Sequence, residues 1–557
     1  MNNNYHKTMK KYLSIFAAAL ALVLCGCNKT DNGEEGGSQG GALTVNFTVT
    51  PETVYAGDAV AFAADIKGGT APYTIKWTIG SAVQAKTDAN ITFTFPKNGS
   101  FVVTLDVTDN QGAKAQKKKA VVVNAAKVEE VGALSVNWVG KMNGYNSKSA
   151  AAVADDGSVY TTCRDNKLYK WSATGESVWV KDIYTVVTDG SATLGTPSVD
   201  KDGTVFIGAG SKDGTLRAFN ADGSVKWTFN QWYRSDGTTP APTCNGPIVA
   251  IDDNTVYFGC TGQNGIVLSA DKATGARKGF LAPAGGARSG IFLTRNGMVT
   301  WYGGKYGVFG MTKSALDAGG NDPLSKTWQN FGSGDEQATG NYEGQIAVLT
   351  VGGEPCVGGI VTDSKGTKVY TVKASDGTII SQVYIDDTDS QDQGGVVVDK
   401  DGNLVASLNN TLGTDNGGIA VINPSAGTVV ARYRTQEKVS GSPAVDKAGN
   451  IHFGTESGYY YVVKRNGDQF ELLVKRSLTD VILSDDRYKT SFKDLSVSKI
   501  WCSPVIGDDG KIYLCFTDNT TRAFGGVACL SYEGCKGPAD SDWPMIGHDR
   551  RHTGKQI

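Results

Sequence analysis

The stretch PSVDKDGTVFIG, from Pro197 to Gly208, continues as TLRAFNADGSVKW from Thr215 to Trp227. It holds four short apolar runs separated by turn residues, and we find eight such copies between Ala151 and Phe524. A unit of about fifty residues that contains strands only is typical of a β-propeller, in which each copy forms one four-stranded blade. The repeat therefore predicts an all-β, eight-bladed propeller over residues 134–557.

Asp-Gly and Asn-Gly pairs mark the turns between these strands. Two-residue hairpins need positive φ at their central residues, which Gly, Asn and Asp tolerate. The motif Asp-x-Asp-Gly at Asp200–Gly203 and Asp399–Gly402 also allows a calcium loop as an alternative. Such a loop needs more oxygen ligands than these short turns offer, so we favour hairpins.

Length and composition set the broad class of the protein. The chain has 557 residues, too many for one core, and its 71 glycines fit an all-β protein rich in tight turns. The formal net charge is −2, which gives no reason to expect nucleic acid or an anionic membrane surface as a partner.

The N-terminus has the pattern of a lipoprotein signal peptide over residues 1–26. Lysines at positions 7, 10 and 11 precede the apolar run Leu13–Leu24, which is too short for a comfortable transmembrane helix. The run ends in Leu24-Cys25-Gly26-Cys27, which resembles the lipobox of bacterial lipoproteins and implies acylation of Cys27. An ordinary secretory cleavage site with an incidental cysteine is the alternative.

Residues 27–41 form a polar, Gly-rich tether. Its early acids, Asp31, Glu34 and Glu35, resemble the surface-export signal of some Gram-negative lipoproteins. We therefore expect a lipid anchor in the outer membrane of a Gram-negative bacterium, with the chain at the cell surface. A plain solvated linker explains the same residues, and the periplasmic face stays open as an alternative.

Residues 42–125 predict a small β-sandwich with six alternating strands and Trp77 between its sheets. PYTIKW at Pro72–Trp77 and GSFVVTLDVTDNQG at Gly99–Gly112 resemble the PKD family of immunoglobulin-like domains, although Thr78–Gly80 replaces the family's usual Asp-Phe-Gly-Asp. The resemblance implies a spacer or contact module. Lys117–Lys119 reads as a solvated edge strand, with a basic contact patch as the alternative. Residues 126–133 are a linker.

The repeat itself resembles the pyrroloquinoline-quinone-like (PQQ-like) propeller repeat over residues 134–554. Trp179, Trp227 and Trp328 occupy its outermost-strand position, where the resemblance implies packing on the next blade rather than ligand binding. Leu134–Val139, which includes Trp138, reads as an outermost strand without a blade of its own. We expect it to complete blade eight and close the ring.

The C-terminal segment Asp542–Gly554 resembles the Trp-Pro-Met…His-Thr-Gly tail of the same family, which packs near that closure. His548 and His552 lie four residues apart, but the surrounding Gly and Arg residues argue against a metal-binding helix.

Cofactor motifs are missing from the sequence. Quinone dehydrogenases of the related family use an adjacent Cys-Cys pair, a Trp floor and a calcium ion, and this chain has no adjacent cysteines. The other cysteines are scattered, and most have the pattern of buried apolar residues. Cys529 and Cys535 are close enough in sequence to pair in an oxidising compartment, although sequence alone does not establish the bond. We therefore expect no cofactor, no metal and no catalytic residue.

Two aromatic segments are the candidate binding sites. Trp232, Tyr233 and Arg234 place two rings beside a cation after the second blade, and Trp301 and Tyr302 lie in blade four. The alternative is that these rings cap grooves between blades. The polar insertion Leu483–Ser496, predicted as a single helix, is expected to mark the binding face.

Together these features predict a non-catalytic, membrane-anchored surface lipoprotein whose propeller binds a protein or a glycan. A closely related alternative is a glycan-binding protein of a polysaccharide-uptake system. A third, from another class, is a carbohydrate lyase or a quinone-dependent dehydrogenase, since propellers support both enzymes and binding platforms.

Overall fold

In the computed structural model the chain divides into two compact units, Met1–Val128 and Glu129–Ile557. The structure describes residues 41–557 except 53, 85–86, 98, 125–128, 147, 184–194, 212–213, 230–247, 261–265, 282–288, 319–327, 335–337, 339–344, 386–393, 410–416 and 519–523. The signal segment, Cys27 and the rest of the tether up to residue 40 therefore lie outside the described residues. Within the described ranges, no helix has the length and apolar character needed to span a membrane.

The first unit is a β-sandwich of two sheets. One sheet has the order β1-β3-β6 and the other β2-β8-β7-β4-β5. The strands are β1 (Thr44–Thr50), β2 (Val54–Tyr55), β3 (Ala59–Lys67), β4 (Thr74–Ile79), β5 (Ala82–Val83), β6 (Asn90–Thr94), β7 (Gly99–Thr108) and β8 (Lys114–Asn124).

Trp77 lies between the two sheets, as predicted. Its side chain is fully buried, its ring meets the Phe47 ring edge-on at 5.2 Å, and its indole N–H donates to the carbonyl of Asp88 at 3.0 Å. The predicted edge at Lys117–Lys119 pairs with β7 on one side, whereas β2 pairs with β8 only at its Val123 end. Lys119 turns inward and donates to the carbonyl of Phe47.

The second unit begins with β9 (Ser135–Met142) and continues with repeated antiparallel sheets, which we number I to VIII in chain order. Sheet I contains β10 (Ala152–Val153), β11 (Val159–Cys163), β12 (Lys167–Trp171) and β13 (Ser177–Asp182), and sheet II contains β14 (Ser198–Val199), β15 (Val205–Ser211), β16 (Gly214–Phe219) and β17 (Val225–Phe229). Sheet III contains β18 (Ala250–Ile251), β19 (Thr255–Cys260), β20 (Ile266–Asp271) and β21 (Arg277–Leu281), and sheet IV contains β22 (Ile291–Leu293), β23 (Met298–Tyr302), β24 (Val308–Thr312) and β25 (Trp328–Asn330).

Sheet V contains β26 (Ala347–Val351), β27 (Glu354–Asp363), β28 (Gly366–Lys373) and β29 (Ile379–Ile385), and sheet VI contains β30 (Val396–Val398), β31 (Leu404–Leu408), β32 (Gly418–Asn423) and β33 (Thr428–Arg434). Sheet VII contains β34 (Ala444–Val445), β35 (Asn450–Gly454), β36 (Tyr459–Asn466) and β37 (Gln469–Ser477), and sheet VIII contains β38 (Val497–Lys499), β39 (Val505–Ile506), β40 (Ile512–Asp518) and β41 (Gly525–Ser531). The described residues also contain three short α-helices: α1 (Lys313–Asp317) between two strands of sheet IV, and α2 (Leu478–Leu483) and α3 (Asp486–Lys489) between sheets VII and VIII. The described residues supply eight such sheets, and eight blades remain the count that we predict.

Ring closure follows the predicted route. β9 pairs antiparallel with β41, so the first strand of the unit becomes the outermost strand of its last sheet. The all-β prediction, with a sandwich followed by a propeller that an N-terminal strand closes, is confirmed. Closure by pairing leaves no free sheet edge between the two ends of the repeat array.

The insertion Leu483–Ser496 contains one short helix, α3, and begins at the last residue of α2. It covers the outer edge of β9. Arg487 donates to the carbonyls of Asn137 and Val136 at 3.0 and 3.2 Å, and the hydroxyl of Tyr488 accepts from the N–H of Val139 at 3.1 Å. The insertion thus gives hydrogen-bond partners to the strand that closes the ring.

The Asp-Gly turns are hairpins, as expected. Asp399 accepts from the N–H groups of Asp401 and Asn403 with one carboxylate oxygen, each at 2.9 Å, and Gly402 takes a φ of 79°. The carboxylate thus closes its own turn, which explains why Asp and Gly recur at this spacing.

Candidate functional site

The C-terminal segment 542–556 binds the first strands of the sheets. Six first strands donate the N–H of their last residue to a carbonyl of this segment, at 2.7–2.8 Å. The pairs are Val398 to Trp543, Val445 to Pro544, Val153 to Arg550, Val199 to Arg551, Ile251 to Thr553 and Leu293 to Gly554. Because one short segment reaches all of these strands, the first strands surround a common axis.

The segment makes a full circuit of that axis. Asp542 accepts from the N–H of Thr350 in sheet V at 2.7 Å, and Arg550 forms ion pairs with Asp155 of sheet I and Asp508 after β39 of sheet VIII, at 2.8 and 2.9 Å. The circuit ends in sheet V again, where the side-chain amide of Gln556 donates to Asp542 at 3.2 Å. The predicted tail therefore contacts far more than the closure at sheet VIII.

This circuit defines two ends of the propeller. The tail face is the end at which the segment 542–556 lies, together with the first and third turns of each sheet. The loop face is the opposite end, because strand direction alternates. It carries the second turns and the connections between sheets wherever the structure describes them. Binding residues are disproportionately found on connecting loops, so the loop face is the candidate end for a site.

A mixed cluster on the loop face is the candidate site. Glu456, in the second turn of sheet VII, accepts from the hydroxyl of Ser440 and forms an ion pair with Lys499 at 3.5 Å. The ammonium of Lys499 lies 4.2 Å from the centre of the Trp501 ring. The side chains of Glu456 and Lys499 are 20% and 29% exposed, so solvent reaches the cluster.

A second polar group adjoins it in sheet VII. The N–H of Glu456 donates to the carbonyl of Lys438, next to Glu437. Glu437 accepts from the Tyr461 hydroxyl at 2.9 Å and lies 3.7 Å from the ammonium of Lys475. Burial, together with the nearby charge of Glu437, raises the pKa of Tyr461, so its hydroxyl stays protonated and acts as a donor.

These groups are suited to binding. A ring face beside an ammonium stacks on sugars or anchors an apolar side chain, while the carboxylate and the hydroxyls fix orientation by hydrogen bonds. Sequence reasoning missed the cluster because Ser440, Glu456 and Trp501 come from three separate connections. The only local signal was the position of Trp501, directly after the insertion.

The sequence-predicted binding residues have different outcomes. Trp232, Tyr233 and Arg234 lie outside the described residues, so their role stays a prediction. The binding role of Trp301 and Tyr302 is corrected, since their side chains are 0% and 1% exposed. Both belong to β23, a second strand buried along its whole length, and the Trp301 ring stacks on Phe309 at 5.2 Å.

Four tryptophans lie against the third turn of the next sheet. The indole N–H groups of Trp138, Trp179, Trp227 and Trp328 donate to the carbonyls of Ala173, Ala221, Lys272 and Ala374 at 2.8–3.1 Å. Each ring also covers the glycine of that turn, namely Gly175, Gly223, Gly275 and Gly377. Only glycine leaves room for the ring, which explains the pairing of Trp with Asp-Gly or Thr-Gly along the repeat.

The contact between sheets V and VI lacks this tryptophan and uses a different donor. The hydroxyl of Ser381 donates to the carbonyl of Pro424 at 2.5 Å, beside the turn glycine Gly427. The small side chain occupies the place that an indole has in the other contacts.

The cysteines stay single wherever the structure describes their side chains. Cys163, Cys356, Cys502, Cys515, Cys529 and Cys535 are buried free thiols. The pairing considered for Cys529 and Cys535 is therefore not formed. Isolated buried thiols do not fit the cysteine pair with which the related dehydrogenases hold their quinone.

Two protein-family models match the sequence. A PKD domain model matches residues 43–122, and the model described as outer membrane protein assembly factor BamB matches residues 102–287. The chain thus carries a PKD domain followed by PQQ-like propeller repeats of the BamB type. No curated protein matches the chain.

Two quinohemoprotein alcohol dehydrogenases of known structure share the fold at low identity. Quinohemoprotein alcohol dehydrogenase from Comamonas testosteroni is 13% identical, with a TM-score of 0.51 over 71% of this chain and 76% of that chain. The enzyme ADHIIG from Pseudomonas putida is 14% identical, with a TM-score of 0.50 over 74% and 77%. BamB from Moraxella catarrhalis is 12% identical, with a TM-score of 0.45 over 71% and 100%.

Proposed function

We propose that this protein is a non-catalytic, lipid-anchored binding platform of the outer membrane, displayed at the cell surface, whose propeller holds a macromolecular ligand at its loop face. The observation that carries the proposal is the cluster of Ser440, Glu456, Lys499 and Trp501 on the face opposite the C-terminal circuit. The tail face is occupied by the protein's own chain, which leaves the loop face for a ligand.

The first candidate ligand is a protein partner. The repeat match to an outer membrane protein assembly factor supports it, together with the lipobox-like sequence at Cys27. Tryptophan is enriched among the few residues that contribute most of the affinity of a protein interface, and charges around it add specificity.

The second candidate is a surface polysaccharide. It is favoured by the combination of one indole, one carboxylate and a serine hydroxyl within a single cluster, since sugars stack their apolar face on a ring and bond their hydroxyls to acids. A quinone enzyme is disfavoured because neither the sequence nor the described thiols supply the cysteine pair of that family.

A paired binding assay tests the proposal. The full chain, purified in detergent, is screened on a glycan array and used for affinity capture of proteins from its own outer membranes. We expect one of the two to give a specific ligand whose binding falls at least tenfold in Lys499→Ala and Trp501→Ala. Lys511→Ala is the matched control, because Lys511 also pairs with an acid, Asp509, but lies in the first turn of sheet VIII on the tail face.

Three results would contradict the proposal. Ligand binding that is lost in Lys511→Ala but kept in Lys499→Ala and Trp501→Ala would place the site on the tail face instead of the loop face. Dye-linked alcohol or sugar oxidation after reconstitution with the quinone would show an enzyme, and the absence of any ligand in both assays would remove the binding role.

A further inference from the structure

A buried group of metal-ligand side chains lies in sheet VII, away from the loop-face cluster. Asp446 follows β34, His452 lies in β35, and Cys535 lies in the turn after β41 that leads into the C-terminal segment. One carboxylate oxygen, one imidazole nitrogen and the thiol sulfur all lie within 4.8 Å of one another, and all three residues are buried. The residues come from positions 446, 452 and 535, so sequence spacing gave no indication of them.

We infer that Asp446, His452 and Cys535 form a binding site for Zn²⁺ that fastens the C-terminal segment to sheet VII. Zinc takes thiolate, imidazole and carboxylate ligands, and tetrahedral bonding separates its ligand atoms by about 3.5 Å. The Oδ2 atom of Asp446 lies 3.0 Å from Nε2 of His452, and all three ligand atoms lie within 4.8 Å of one another, so side-chain shifts on the order of 1 Å would bring them to the separations that the ion requires.

The surroundings of these ligands resemble the outer shell of a metal site. Nδ1 of His452 lies 2.9 Å from the hydroxyl of Tyr460, which can accept from or donate to it and so supports either tautomer of the ring. The side-chain amide of Asn450 donates to Oδ2 of Asp446 at 2.8 Å. Metal-bound imidazoles and carboxylates are held by such hydrogen bonds in known sites.

The fold by itself does not require a histidine here. In the pairing of β34 with β35, His452 lies opposite Ala444, the next-to-last residue of the first strand of sheet VII. The equivalent positions in sheets I, II, III, IV, VI and VIII hold Tyr160, Phe206, Tyr257, Thr300, Val405 and Tyr513. Only sheet VII among these combines a ligating side chain with a cysteine from another segment.

The position suggests what the ion would do. The backbone of Ala539 donates to Val445, and that of Lys447 donates to Gly537, so the chain after Cys535 already lies against the end of β34. An ion held by all three side chains would join the start of the C-terminal circuit to the sheet. This inference is independent of the proposed binding function.

Metal binding by the full chain tests the inference. The protein is treated with a chelator, dialysed against Zn²⁺ or Co²⁺, and analysed for bound metal and for the near-ultraviolet charge-transfer band of a Co²⁺–thiolate bond. We expect one equivalent of metal and a band that disappears in Cys535→Ser but persists in Cys529→Ser. Cys529 is the matched control because it is also a buried free thiol near the C-terminus.

Thermal unfolding provides a readout that does not depend on the spectrum. We expect Tm of the wild type to rise with Zn²⁺ concentration, and Tm of Cys535→Ser and His452→Phe to stay constant. A folded wild type that retains no metal would overturn the inference, as would a metal equivalent or Co²⁺ band that survives in Cys535→Ser.

Discussion

Gln556 donates its side-chain amide to the carboxylate of Asp542 across 3.2 Å, and the same carboxylate accepts the backbone N–H of Thr350. The residues between them accept hydrogen bonds from the first strands of sheets VI, VII, I, II, III and IV, in that order along the chain. Their contact therefore joins the start and the end of a circuit inside the propeller.

Removal of the carboxylate at this junction should weaken the whole unit. Asp542→Ala leaves the half-buried Thr350 N–H without its acceptor, and the loss of one such hydrogen bond costs about 1 kcal/mol. We expect a loss of that size in the free energy of unfolding, measured by denaturant titration. The nearby Asp540 is exposed, so Asp540→Ala should change stability little, and equal losses in both variants would argue against the junction.

The tryptophan contacts between sheets can be measured with a pair of glycine substitutions. Gly275 and Gly467 have similar φ values, 72° and 67°, but a Cβ at Gly275 would lie 2.7 Å from the Trp227 ring, whereas one at Gly467 meets nothing within 4 Å. Both alanine variants carry backbone strain of about 1 kcal/mol. Gly275→Ala should lose a further 1–3 kcal/mol or so, because overpacking displaces the indole. Equal losses would contradict the contact.

His552 should make the propeller sensitive to acid. Burial lowers the pKa of His552 to about 4, below its ordinary value of 6.5, and Nδ1 donates to the carbonyl of Pro197 at 3.0 Å. Between pH 4 and pH 6.5 the unfolded chain therefore binds a proton at this histidine that the folded chain does not bind. Stability is lost as pH falls from 6.5 towards 4, by up to about 3 kcal/mol.

The variant His552→Asn isolates this effect. Asparagine retains a donor for Pro197 and tolerates the positive φ of 56° at this position. The difference in unfolding free energy between wild type and variant should narrow or reverse as pH falls from 7 to 4. A difference that does not vary with pH would show that His552 does not contribute to the acid response.

The edge of the closing strand supplies another test. Tyr488→Phe removes the acceptor of the Val139 N–H, and we expect a loss of about 1 kcal/mol in the free energy of unfolding. Lys489→Ala removes only an exposed ion pair with Asp486, which contributes close to nothing. If the two variants unfold at the same denaturant concentration as the wild type, the insertion does not support β9.

The lipid anchor is tested at Cys27. Cys27→Ser should move the protein from the membrane fraction to the soluble fraction and abolish incorporation of labelled fatty acid, since the acyl chains supply the membrane affinity. Cys25→Ser is the control and should leave both readouts unchanged. Membrane retention of the Cys27 variant would remove the anchor from the account.

Sequence reasoning predicted the parts of the fold that depend on local signals. Asp-Gly turns, alternating strands and the tryptophans of outer strands all act within a few residues, and the closing strand at Leu134–Val139 was predicted from its pattern. The error at Trp301 and Tyr302 has a physical cause. Strands of a propeller are buried on both faces by neighbouring sheets, so a Trp-Tyr pair at a strand end gives no sign of its exposure.

The features missed by sequence reasoning depend on contacts between distant segments. The circuit of residues 542–556 requires six strands to present their last N–H towards one axis, which no local pattern encodes. The loop-face cluster joins Ser440, Glu456 and Trp501, and the proposed zinc site joins His452 to Cys535, across separations that only the assembled sheets bring together.

Site-resolved amide hydrogen exchange of the full chain tests the closed ring and its internal circuit most directly. The six N–H groups of Val153, Val199, Ile251, Leu293, Val398 and Val445 face the axis and are bonded only to the C-terminal segment. The account predicts that all six exchange slowly and at similar rates. Fast exchange in sheets I–IV beside slow exchange in sheets VI and VII, or fast exchange throughout, would contradict it.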